Sequence, residues 1–220
     1  MPYHQLIGFL LRILKWPIAL ATAWWLPAAL WALLRQINLS LSSMGVVMAA
    51  TLAYFVVWRT YLSHQSVSAF STLEHELNHI LFALLTGNRV TGLSVTLSNG
   101  GHMSYEGTPN WLVDVAPYFF PLATLTVILV MPNVSALQGL AGQFLLGLTL
   151  GYHLTSGWTH LHPGQTDLQK AGFLFCGFFL PTANACSLGL TLAAARQQWI
   201  GMSDWVDDLA NSPWQWTQLF

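Results

Sequence analysis

The sequence predicts an α-helical, multi-pass membrane protein with about six transmembrane helices and one small β-hairpin. Of its 220 residues, 54% are hydrophobic and only 7% are charged, whereas a soluble globular domain usually has about 25% charged residues. The charged residues are also unevenly spaced, and the longest uncharged run extends from residue 115 to 166. Because an apolar stretch of about 20 residues crosses a bilayer as a helix, we expect membrane lipid to surround this chain.

Six stretches are long and apolar enough to be predicted spans, because the longest uncharged run divides at Pro132-Asn133. They are residues 16–34, 44–62, 67–87, 112–131, 137–157 and 170–195. We expect residues 1–220 to form a single membrane domain. Its parts would be two N-terminal spans (1–65), a central region (66–175), and the last span with a tryptophan-rich tail (176–220), which suits the headgroup layer.

Composition excludes two classes of site. The net charge is -1 and the seven Lys and Arg residues are scattered, so no basic patch indicates recognition of nucleic acid. The two cysteines, Cys176 and Cys186, would have Cα atoms about 15 Å apart on a helix, too far for a disulfide. A cysteine-based zinc site is therefore also excluded.

A β-hairpin is predicted between the third and fourth spans. Apolar and polar side chains alternate over residues 93–98, which is typical of a strand. Asn99-Gly100 follows directly and favours a tight turn. Residues 102–105 would then form the return strand.

The third predicted span contains Glu74-His75-Glu76-Leu77-Asn78-His79. His75 and His79 are four residues apart, so both imidazoles project from one face of a helix and can bind Zn²⁺. Glu76 is adjacent and can act as a general base toward water. Because such polar groups are costly inside a membrane unless paired, hydrated or bound to metal, we predict a zinc site here, with Glu74 pointing elsewhere around the helix.

A catalytic zinc needs a third protein ligand. Asp167 ends the long uncharged run and follows two predicted spans after the hairpin, which returns the chain to the face where the third span ends. The main alternative is the histidine cluster His153, His160 and His162, either as ligands or as an interfacial loop. His102, Glu106 and Asp114 are further candidates for the third ligand.

The chain resembles the site-2 protease class of intramembrane zinc metalloproteases, most closely its small bacterial branch, the peptidase M50B-like family. The matching segments are 75–79, 83–87, the strand beginning at Arg89-Val90, and Thr166-Asp167. The resemblance implies that His75, His79 and Asp167 bind zinc and that Glu76 activates water. It makes residues 66–175 a metalloprotease core and implies a bacterial inner-membrane location. Better known members have glycine after the aspartate, where this chain has Leu168.

The predicted function is therefore that of a zinc metalloendopeptidase, hydrolysing a peptide bond of a membrane-protein or peptide substrate in or near the membrane. We hypothesise that residues 92–98 hold an unwound substrate by main-chain hydrogen bonds, or that the hairpin merely plugs the site against lipid. The competing functions are a membrane metal transporter and a zinc-binding regulatory protein without activity.

Overall fold

A computed structural model describes residues 2–62, 69–96, 100–137 and 139–217. Most of these residues are helical, and short 3₁₀ turns connect several helices. The helices are α1 (Tyr3–Ser43), α2 (Gly45–Thr60), α3 (Ala69–Leu85), α4 (Trp111–Val115), α5 (Leu122–Val130), α6 (Leu140–His160), α7 (Thr166–Ala171) and α8 (Phe173–Thr217). Two strands, β1 (Arg89–Thr96) and β2 (Gly100–Glu106), form an antiparallel hairpin.

The longest helices, α1 and α8, pack against each other along much of their length. Their contact is rich in alanine, including the fully buried Ala29 and Ala193, and small residues let helix backbones approach closely. Thr182 adds a hydrogen bond from its hydroxyl to the Thr22 carbonyl at 2.7 Å. This pair forms one side of the molecule.

Helix α8 does not remain straight, because Trp205 packs against Gly189 of the same helix. Sixteen residues of straight α-helix would separate these positions by about 24 Å, so the chain turns back on itself between them. The Trp205 side chain is only 2% exposed and belongs to a core cluster. This tryptophan is therefore buried within the protein, whereas Trp199 is exposed.

Helices α2 and α6 form a second close pair. Gly147 of α6 lies directly against Val47 and Ala50 of α2, where a side chain could not fit. The Thr51 hydroxyl donates a hydrogen bond to the Gly147 carbonyl at 3.0 Å. A glycine in α6 thus sets the distance between the two helices.

The described residues contain two helices long and apolar enough to cross a membrane, at Tyr3–Leu39 and Phe173–Gln197. A third crossing is obtained if the segments Trp111–Tyr118 and Leu122–Asn133, which meet at a bend of 73°, form one span. These segments correspond to the predicted spans 16–34, 170–195 and 112–131. Helices α2, α3 and α6 lie within or overlap the stretches 44–62, 67–87 and 137–157, but the count of six spans is not confirmed.

The β-hairpin follows α3 through a tight helix end. Gly87 has φ of 77°, and the Asn88 N–H donates to the Ala83 carbonyl at 2.9 Å, which is the usual way a glycine ends a helix. Strand β1 begins at Arg89, as the family resemblance implies and before the alternating segment 93–98, and the return strand is longer than 102–105. Residue Asn99 of the predicted turn lies outside the described residues.

Candidate metal centre

Helix α3 presents His75 and His79 on one face, as their spacing predicts. Their rings meet edge to face with centroids 4.8 Å apart, and the two Nε2 atoms are 3.2 Å apart. His79 is buried and His75 is partly buried. The two nitrogens therefore point toward one small volume.

Asp167, from a distant part of the sequence, completes this arrangement. It lies in the first turn of the short helix α7, and its Oδ2 atom is 3.4 Å from His75 Nε2 and 3.3 Å from His79 Nε2. Among the residues that the structure describes, these three form the one group of His, Cys, Asp or Glu side chains arranged to hold a metal ion. The predicted third-ligand candidate is thus next to the histidines.

The spacing of the three atoms fits a zinc ion. Zinc binds histidine nitrogen and carboxylate oxygen at about 2.0–2.2 Å in tetrahedral geometry, which separates neighbouring ligand atoms by about 3.3–3.6 Å. The observed separations of 3.2, 3.3 and 3.4 Å are close to this value. Two imidazole nitrogens and one carboxylate also leave one tetrahedral position open, as in a catalytic site.

The neighbours of the ligands support the same assignment. His79 Nδ1 is 2.8 Å from the Val113 carbonyl oxygen, which can only accept, so His79 carries its proton on Nδ1. Its Nε2 lone pair is then available to a metal, an arrangement common among histidine ligands. In the absence of a metal ion, burial opposes ionisation of Asp167, but pairing with protonated His75 and His79 outweighs burial and holds the pKa of this carboxyl well below its usual range.

Glu76 lines the same cavity as the three ligand residues, a recess of about 340 Å³. Its side chain is 6% exposed and lies against Gly101 of β2. A Cβ atom at position 101 would be 2.7 Å from Glu76 Cγ and 2.9 Å from Oε1. The absence of a side chain at Gly101 therefore lets β2 lie close to the Glu76 side chain.

The histidines of the alternative cluster do not belong to the three-residue group, although the His160 ring lies 5.0 Å from that of His75. His160 lines the cavity, but its Nε2 is hydrogen-bonded to the Ser71 hydroxyl at 2.9 Å. His162 also lines the cavity, and its Nδ1 accepts from the Gly164 N–H at 3.2 Å. His153 is buried further along α6 and does not line the cavity.

The remaining candidates are dispersed. His102 and Asp114 line the cavity, but neither belongs to the three-residue group. Glu106 is exposed at the end of β2. Glu74 is buried, and its Oε1 accepts a hydrogen bond from the Ala123 N–H at 3.0 Å, so it secures the start of α5 beyond the bend.

Two contributions to the site were not predicted from the sequence. One is the Val113 carbonyl, whose role depends on backbone position and leaves no residue signal. The other is Tyr118, whose fully buried ring is 5.5 Å from that of His75, and whose hydroxyl has no hydrogen-bond partner within the described structure. A tyrosine inside an apolar run resembles ordinary core packing, so no pattern distinguishes it.

The fold and this site define a membrane protein with a candidate metal centre of the His-Glu-x-x-His type. The chain belongs to the peptidase M50B-like family, whose model matches residues 47–161, more than half of the chain. The predicted resemblance is thereby confirmed. His75, Glu76 and His79 lie within the matched segment, and Asp167 lies shortly beyond it. No curated protein and no solved structure matches the chain.

Proposed function

We propose that this protein is an intramembrane zinc metalloendopeptidase that hydrolyses a peptide bond of a membrane-associated substrate. The observation that carries this proposal is the position of Glu76 beside three converging ligand atoms in one cavity. Membership of a metallopeptidase family agrees with it. His75, His79 and Asp167 would hold the zinc ion.

The roles of the residues follow from their chemistry. When bound, zinc supplies Lewis-acid chemistry that makes water more acidic and polarises a peptide carbonyl. Glu76 accepts a proton from the attacking water and delivers it to the nitrogen of the leaving amine. One water is thereby added across the C–N bond, which yields a carboxylic acid and an amine, and Glu76 returns to its starting state.

Replacing the general base tests this function. We expect Glu76→Gln to abolish cleavage of a membrane-embedded peptide reconstituted with the purified protein, while zinc stays bound, because glutamine keeps the shape but cannot accept the proton. Activity should fall by a factor of about 100 or more. Zinc content is measured in parallel by elemental analysis.

The matched control is Glu106→Gln, since Glu106 is exposed at the end of β2. It does not line the cavity and does not belong to the group of three candidate ligands. This variant should cleave like the wild type. Full cleavage by Glu76→Gln would contradict the role of Glu76 as the general base. Absence of cleavage by the wild type would contradict the peptidase function and return the transporter and the inactive zinc-binding protein as the functions to consider. Transport also requires several relayed sites, whereas the described residues contain one candidate group.

We further propose that the hairpin borders the substrate path. Strand β2 lines the cavity through residues 100–103 and Tyr105, whereas the described residues of β1 do not. The strand that would hold an extended peptide is therefore β2 rather than the predicted segment 92–98. An extended substrate beside β2 could form main-chain hydrogen bonds with this strand. We also propose that the protein crosses the bacterial inner membrane several times.

A further inference from the structure

A second cavity adjoins the candidate metal centre. It has a volume of about 620 Å³ and lies between the start of α1, strand β2, α4 and α7. It shares five lining residues with the metal-centre cavity, namely His102, Met103, Tyr105, Asp114 and Lys170. A molecule bound at the metal centre can therefore extend into this second space, which we call the basic cavity.

The basic cavity concentrates positive charge in a chain that has little charge overall. Arg12, Lys15 and Lys170 line it, which is three of the seven Lys and Arg residues in a protein of net charge -1. Asp114 is the one acidic residue in its lining. Three positive charges and one negative charge leave a formal excess of two positive charges facing this space.

Packing contacts hold Lys15 and the start of α1 in place. The Lys15 ammonium lies over the Phe175 ring, 5.1 Å from its centroid, and the Trp111 indole N–H donates to the Leu11 carbonyl at 2.7 Å. Gly8 lies so close to Thr108 that no side chain would fit there. These contacts fix the start of α1 against the loop before α4, so its two cations face β2.

The basic cavity begins next to the proposed reaction site. Lys170 Nζ is 3.7 Å from Oδ1 of Asp167, the same carboxylate whose other oxygen faces the histidines. Strand β2 borders both cavities. Because an extended peptide advances about 3.3 Å per residue, a peptide lying along β2 would bring a group a few residues from the cleaved bond to Arg12 and Lys15.

We propose that the basic cavity binds a carboxylate of the substrate, either an acidic side chain or the C-terminal carboxylate. The protein would therefore select peptides that carry negative charge within a few residues of the cleaved bond. This inference rests on the proposed peptidase function. Carboxylates pair well with Arg and Lys, and a partly enclosed site next to a membrane strengthens such pairs relative to open water.

The test measures peptide binding to the full-length Glu76→Gln protein in phosphatidylcholine nanodiscs, so that cleavage does not enter the result. The probes are three short apolar peptides with a neutral fluorescent label: one capped at both ends with a central Glu, the same with Gln, and the Gln peptide with a free C-terminus. We expect one carboxylate-bearing peptide to bind about fivefold more tightly than the capped Gln peptide. The peptide preferred identifies the source of the carboxylate.

The variant Arg12→Gln/Lys15→Gln should remove this preference, and Arg89→Gln is the matched control. Arg89 is an exposed cation at the start of β1 that lines neither cavity. If the double variant does not fold, Arg12→Gln alone is used, since Arg12 is exposed. The single variant should then reduce the preference.

Two outcomes would overturn the proposal. The first is equal binding of all three peptides, or a preference that persists in the double variant. The second is loss of the preference when phosphatidylglycerol replaces phosphatidylcholine in the nanodiscs, which would assign the basic cavity to a lipid headgroup. A failure of the proposed peptidase function would appear separately, as absence of cleavage by the wild type.

Discussion

At the scale of single residues, the site depends on three ligand atoms at mutual distances of 3.2–3.4 Å. Two histidine nitrogens and a carboxylate oxygen this close, with little solvent around them, are stabilised when a cation lies between them. The Val113 carbonyl fixes the proton of His79 on the opposite nitrogen. The arrangement thus favours metal binding before any question of catalysis arises.

The identity of the third ligand can be tested by zinc content. We expect Asp167→Asn to reduce zinc affinity by a factor of about 100 or more, because an amide oxygen is a weak ligand for zinc and second-shell changes alone already cost 10–100-fold. The measurement is stoichiometric zinc in purified protein, followed by competition with a chelator. Thermal unfolding checks that the variant is folded.

The comparison variants come from the histidine cluster. His162→Ala removes an exposed side chain whose nitrogen faces Gly164, and His160→Gln retains a polar partner for Ser71. Both should keep stoichiometric zinc. Normal zinc binding in Asp167→Asn together with loss in either histidine variant would assign the third ligand to the cluster.

At the scale of elements, the β-hairpin packs against α3 at the point where Gly101 faces Glu76. Glycine at this position removes the side chain that would otherwise separate β2 from Thr72 and Glu76 of α3. The hairpin therefore lies in direct contact with the Glu76 side chain, in addition to lining the cavity. Its sequence pattern predicted a strand, but the requirement for a side-chain-free position facing α3 appears only when both elements are placed together.

Substitution in the hairpin separates this role from ordinary strand stability. Gly101→Ala should lower kcat by a factor of about 10–100, since small displacements of a catalytic group are costly, while zinc content stays near that of the wild type. Gly92→Ala is the matched control, because its Cβ would meet only Ser104 at 3.9 Å. Equal activity of the two variants would show that the contact with Glu76 does not matter.

At the scale of the whole molecule, the number of membrane crossings depends on the path of residues 111–133. The α1 and α8 segments are long and apolar enough to span it. The segment 111–133 contains a 73° bend, which is compatible either with a broken span or with a re-entrant loop. Bent helices inside membranes are tolerated where protein surrounds the exposed backbone groups, and Glu74 provides such a partner at Ala123.

Cysteine labelling distinguishes the two arrangements. In a Cys176→Ala/Cys186→Ala background, single substitutions Glu106→Cys, Asn133→Cys and Gly164→Cys place thiols at exposed positions, and a membrane-impermeant maleimide is applied to intact cells and to inverted vesicles. Six crossings predict that positions 106 and 164 react from one side and position 133 from the other. Labelling of all three from the same side would show that residues 111–133 re-enter without crossing.

The sequence by itself determined the features that depend on near neighbours. A spacing of four residues places His75 and His79 on one helix face, and alternation of side chains indicates a strand after α3, because both patterns follow from the backbone period. Low charge and long apolar runs likewise indicated the membrane helices at both ends of the chain. The segment matched by the family, residues 47–161, contains the motif.

Tertiary structure alone decided which distant residues meet. Asp167 is 92 positions from His75 and was one of several possible ligands in the sequence, and its position depends on how α6 and α7 return to α3. Packing between elements also places the Val113 carbonyl beside His79 and buries Trp205. It likewise determines that β2, and not β1, lines the cavity. The periodicity of a sequence indicates which residues share one face of a helix or strand. These contacts depend instead on how separate elements pack together, and no local sequence pattern predicts that packing.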